Sequence, residues 1–127
     1  MTEFFFIKDG PEYVKILFTS ILYIQADNKY CTIVTTRRKY MVLQSINSFE
    51  KMLPAKIFCR IHRSYIVSLI HTVSFNHTSV NVSEVHLPIG KQYKSVLPKR
   101  VTVLSENGPY INLSDVDVMN LFSAGPN

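Results

Sequence analysis

The feature that most limits how this chain can fold is the spacing of turn signals across EYVKILFTSILYIQADNKYCTIVTTRRKYMVL (12–43). Runs rich in β-branched and aromatic residues are interrupted at Thr19-Ser20, at Asp27-Asn28 and at Arg37-Arg38. Each run is too short for a self-supporting helix, whereas this length and composition suit strands. The spacing predicts two strands with a bend between them, then a hairpin at Asp27-Asn28 into YCTIVTT (30–36). A second turn at Arg37-Arg38 leads back through KYMVL (39–43), which makes a β-meander.

One segment breaks the β pattern. In SINSFEKML (45–53), Ile46, Phe49, Met52 and Leu53 form a helical apolar stripe, with Ser45 as N-cap and Pro54 as the stop. Strand-like composition resumes in IFCRIHRSYIVSLIHTVSFN (57–76), broken at HRSY, and VNVSEVHLPIG (80–90) reads as a tight hairpin turning at Ser83-Glu84. KQYK (91–94) is polar. Beyond Pro98 the pattern loosens: SENGPYINLSD (105–115) is turn-rich, and residues 115–122 read as a short helix with an acidic first turn. The expected fold class is mainly β, an antiparallel arrangement of short strands with one short amphipathic helix. Residues 1–100 form the domain, and residues 101–127 a partly flexible C-terminal extension.

Length and hydrophobicity fit one folded domain: 127 residues, 46% hydrophobic. Cys31 and Cys59 lie in apolar stretches without C-x-x-C spacing and read as reduced, buried thiols, with a single disulfide between them left open. The N-terminus has no basic leader or adequate apolar core for a signal peptide, and the run ILFTSILYI (16–24) is too short to span a bilayer. A cytoplasmic protein is expected.

Charge is distributed unevenly. Between Asn28 and Arg100 lie twelve of the fourteen Lys and Arg residues and only two acids, Glu50 and Glu84, a distribution that fits a polyanionic partner. Catalytic constellations are missing. His62, His71, His77 and His86 lack H-x-x-x-H spacing, no Walker, G-x-S-x-G or G-x-G-x-x-G motif occurs, and four scattered glycines cannot cradle a phosphate. The reading is a binding protein, not an enzyme, with no metal and no cofactor. Three polar groups carry suitable chemistry: Asn28-Lys29-Tyr30, Arg60 with His62-Arg63-Ser64, and Lys91-Gln92 with Lys94. Arg and His donate to guanine edges, while Ser, Lys and Asn hold phosphates. Taken singly, each group reads more readily as structural: a polar hairpin tip for the first, an alternating strand for the second and a solvated turn for the third. On an alternating strand Cys59 and Ile61 share one face and Arg60 and His62 the other.

Taken together, the order of elements and three stretches resemble a family. ILYIQADNKYCTIVTT is similar to its meander pattern I-x-Y-I-E-A-x-x-x-Y. INSFEKMLPAKIFCRIHRSYIVSL is similar to its helix followed by F-x-R-I-H-R-S-Y-I-V-N-L, and HLPIGKQYK to L-P-V-S-R-x-Y. On these residues the chain, from about Ile7 to Leu97, is identified as resembling the LytTR DNA-binding domain of bacterial transcriptional regulators. The resemblance implies an elongated antiparallel β fold that docks on double-stranded DNA through three loops reaching successive major grooves. It assigns the first loop to Asn28, Lys29 and Tyr30. In the second, Arg63 reads a base and His62 and Ser64 hold phosphates, and the third places Lys91 beside Gln92. Lys94 and Arg37 are expected among the phosphate-neutralising cations.

It also implies paired imperfect repeats as targets, bound by two copies of the chain. Three departures stand out: Ser68 where the family has Asn, Gly90-Lys91 where it has Ser-Arg, and no receiver or membrane segment before the domain. Lysine cannot form the planar bidentate pair with guanine that arginine does. A stand-alone regulator and a piece of one both fit. The alternative reading is a protein-interaction module that keeps the fold with weak or no specific DNA binding.

Overall fold

The computed structural model of the protein describes residues 3–106 and 108–112. The chain opens with a hairpin of β1 (Phe4–Asp9) and β2 (Glu12–Leu17), whose two-residue turn uses Gly10 at φ +64°. A single 3-10 turn, Phe18–Ser20, is the bend expected at Thr19-Ser20 and leads into β3 (Ile21–Asp27). β4 (Tyr30–Thr35) and β5 (Lys39–Val42) complete the meander with turns where the sequence placed them. Helix α1 (Ile46–Met52) follows, and the Ser45 side chain accepts the Ser48 backbone N–H as a true N-cap. Then come β6 (Phe58–His62), β7 (Tyr65–Ser68), β8 (Thr72–Phe75), β9 (Ser79–Val82) and β10 (Val85–Pro88).

Five strands form the central sheet in the order β5-β4-β3-β7-β6, while β8, β9 and β10 form a second sheet. Every strand pairing among the described residues is antiparallel, so the mainly β, antiparallel fold class holds. The central sheet is covered on both faces. On one, Ile24, Ile33 and Ile66 pack with Ile7 and Ile16 of the hairpin and Ile46, Phe49 and Leu53 of α1. On the other, Tyr23, Cys59, Ile61 and Val67 pack with Val80, Val82, Leu87 and Leu97. Two-sided burial explains why ILYI and YIVS read as near-continuous apolar runs and not as clean alternation.

Three expectations change. Met52 belongs to the apolar stripe of α1 by spacing but is 45% exposed, because the helix is only two turns long and Leu53 fills the core position beside it. Phe4–Asp9 is a strand that the sequence analysis did not mark. The segment beyond Pro98, read as loose and turn-rich, forms a hairpin of β11 (Thr102–Ser105) and β12 (Gly108–Asn112). The helix expected at residues 115–122 lies outside the described residues. Both cysteines are buried and free, with no disulfide between them, and burial pushes both thiols above their ordinary range.

Candidate nucleic-acid interface

Strand direction decides which polar groups meet. β3 runs toward the Asn28-Lys29 turn, and β7, antiparallel to it, starts at Tyr65 opposite Gln25. The β3–β4 and β6–β7 turns therefore lie at the same end of the sheet, about two strand spacings or ~10 Å apart. The Ala26 N–H donates to Ser64 O at 2.9 Å and ties the two together. The third group joins them through the Gly90 N–H, which donates to Ile61 O at 2.8 Å. All three groups singled out in the sequence thus share one end of the molecule.

The first tip is held in a left-handed turn at Asn28 (φ +57°), a conformation Asn tolerates, and leaves Asn28, Lys29 and Tyr30 exposed. In the second, the β6–β7 register shifts between Arg60 and His62, a bulge at Ile61, and Arg63 and Ser64 turn beyond the last ladder pair, His62 with Tyr65, so the carbonyls from Ile61 to Ser64 must be accounted for one by one. Each is nevertheless satisfied: Ile61 O by Gly90 N–H, His62 O by Arg60 Nε at 2.8 Å, Arg63 O by Arg60 Nη2 at 2.6 Å, and Ser64 O by Ala26 N–H. The Ser64 N–H donates to His62 Nδ1 at 3.0 Å, so in neutral His62 the proton sits on Nε2. Arg63 is exposed.

The third group is a short 3-10 turn, Lys91–Tyr93, with Lys91 and Gln92 exposed and Lys94 half-buried just after it. A Cβ on Gly90 would come within 3.1 Å of Tyr93 Cδ2 and 3.4 Å of His62 Cα. Glycine is what lets this turn press against the second tip, and His62, Arg63, Lys91, Gln92 and Tyr93 line a shallow depression between them.

Arg60 sits differently from the other sequence-selected residues. Its side chain is only 9% exposed, and Nη1 donates to Asn47 Oδ1 and Glu50 Oε1 of α1, both at 2.9 Å. One Nη2 hydrogen is all that remains uncommitted. Four other cations of the basic window lie away from the tips. Arg37, Arg38 and Lys39 belong to the β4–β5 turn at the far end of the sheet, where Arg38 pairs with Asp9 at 3.7 Å. Arg100 Nη2 donates to Phe58 O at 2.9 Å and to Ala55 O, at the start of β6, also the far end. The sequence missed this division because spacing says nothing about which end of a strand a residue occupies. Among the described residues no cluster of three or more His, Cys, Asp or Glu is placed to hold a metal, and no helix is long and apolar enough to cross a membrane.

Comparison with known proteins agrees with this architecture. The sequence model of the LytTr DNA-binding domain matches residues 11–104. The chain is 37% identical over 60 residues to the sensory transduction protein LytR of Staphylococcus epidermidis, covering 47% of this chain and 24% of that protein. It is 34% identical over 80 residues to the transcriptional regulatory protein LytR of Staphylococcus aureus, covering 58% and 32%. Over 91 residues it is 29% identical to the heme-containing CO-sensing transcriptional regulator RcoM 2 of Paraburkholderia xenovorans, covering 66% and 34%. The chain thus spans a quarter to a third of the length of these relatives. A LytTr DNA-binding domain of known structure from Bacillus cereus superposes with a TM-score of 0.70 at 22% identity, covering 79% of this chain and 97% of that one.

Proposed function

The chain belongs to the LytTr DNA-binding domain family, and from that premise we propose that it binds double-stranded DNA sequence-specifically through its loop tips and regulates transcription in the cytoplasm. The observation that carries the reading is the gathering of three polar groups, each with exposed side chains, at one sheet end, the second of them on a backbone whose carbonyls are already satisfied. Such a tip loses little conformational freedom on binding, so its outward side chains are preorganised donors.

In this reading Arg63, with its planar fork, reads a base edge in the major groove, and the Asn28, Lys29 and Tyr30 turn reads beside it. His62, through Nε2, Ser64 and Lys94 hold phosphates. Lys91 and Gln92 occupy the third position, where a lysine gives attraction with weaker geometric discrimination than an arginine. Two copies side by side on paired imperfect repeats fit such a short recognition surface.

The experiment is selection of the purified chain on a pool of random duplexes at about 50 and 200 mM salt, with sequencing of the retained fraction. Enrichment of a paired motif, with affinity falling steeply between the two salts, is the expected result. Weak binding without enrichment would instead leave a protein-interaction module that keeps the fold.

A further inference from the structure

The turn that follows β6 creates a physical problem that a single side chain solves. Where a hairpin reverses, carbonyls run beyond the ladder, and a donor that holds them fixes their direction. Arg60 supplies it twice, to His62 O and Arg63 O, on one planar guanidinium. The same group is fixed from behind by Asn47 and Glu50, one turn apart on α1, and its Cζ lies 6.0 Å from the centre of the Tyr93 ring. One cation therefore touches the helix, the second tip and the third turn.

From this geometry we infer that Arg60 is a positioning residue and that Asn47 and Glu50 are its anchors, together setting the direction in which the tip presents Arg63. The inference rests on the DNA-binding reading and deepens it: the residues that determine specificity extend back onto the helix, away from the contact surface. Glu50 is one of only two acids in the basic window. For a DNA-binding surface an acid is an electrostatic cost, and here it is matched by an ion pair at 2.9 Å.

That cost gives the test its sign. Removing an acid near a DNA-binding face tightens binding if charge alone matters. In the variant Asn47→Ala/Glu50→Ala both changed residues are exposed on the helix, so no cavity opens in the core, and a urea midpoint measured alongside checks that the chain stays folded without the two partners of Arg60. We expect its affinity for the duplex selected by the wild-type chain to fall about tenfold, while affinity for a random duplex holds or rises, because preorganisation and not charge is lost. Hydrogen exchange of the Ser64 amide in the free protein should quicken in parallel. Arg60→Lys, which keeps the charge and loses the fork, should reproduce the loss of discrimination with the salt slope unchanged.

Tighter or unchanged binding of the selected duplex by the double variant overturns the inference, as does a salt slope reduced by Arg60→Lys. If the wild-type chain selects no duplex, the DNA-binding reading itself fails. Ser64 exchange then decides the anchoring by itself: unchanged exchange in the double variant overturns it.

Discussion

Arg63 carries its guanidinium into solvent from a backbone carbonyl that Arg60 holds, so its loss removes a contact without loosening the tip. Arg63→Ala is expected to cost about 1–3 kcal/mol on the selected duplex and to relax preference at one base position, with little loss on random DNA. Lys94→Ala should weaken all sequences alike and lower the salt slope by about one. Arg37→Ala, at the far end of the sheet, should change neither, although the basic window alone groups it with the phosphate contacts. Titrations at several salt concentrations separate the three. Cys31 and Cys59 give a second residue-level test: with both thiols buried and their pKa raised by burial, the thiolate is scarce at pH 8. A thiol reagent should react with neither until the chain is unfolded; labelling in the native state would refute this. Arg60 and Arg63, three apart in one motif, show where reading a sequence stops. Their residue types and local spacing are alike, and only contacts ten and thirteen residues away, to Glu50 and Asn47, give Arg60 its different place.

At the level of elements, what was legible was what local chemistry alone decides. Ser45 and Pro54 bracket α1, and Asp27-Asn28 and Ser83-Glu84 turn where turn residues stand. The strand Phe4–Asp9 escaped notice because FFFIKD has no distinctive alternation; it becomes a strand by pairing with β2 across Gly10. The β11–β12 hairpin was hidden by Gly108-Pro109, residues that weaken any strand signal. The β9–β10 turn carries a correctable strain: Ser83 and Glu84 both have positive φ (+46° and +74°), which neither side chain prefers. Glu84→Gly should stabilise the protein by about 1 kcal/mol in urea unfolding and leave DNA affinity unchanged, since the turn lies off the three tips. Gly90→Ala should do the reverse. Its new Cβ would crowd Tyr93 and the His62 backbone, so the third turn must move off the second tip, and selected-duplex affinity should fall more than thermal stability does.

For the whole molecule, the central sheet is the rigid middle layer between two hydrophobic clusters, and the loop end inherits its rigidity. Ile24, fully buried on β3 two residues before the tie at Ala26, is a sensitive position: Ile24→Ala should cost about 2–5 kcal/mol, read as a lower urea midpoint. Such a loss leaves the preferred base sequence unchanged as long as the chain remains folded, because the contacts that aim the tip are elsewhere. The same separation bears on how the family's members diverge. Since the carbonyls of the second tip are all occupied from within the protein, Arg63 can be exchanged at little cost to folding. On the DNA-binding reading proposed above, a single codon change at position 63 alters the base preferred while the chain stays folded, which makes the binding code freer to drift than the architecture.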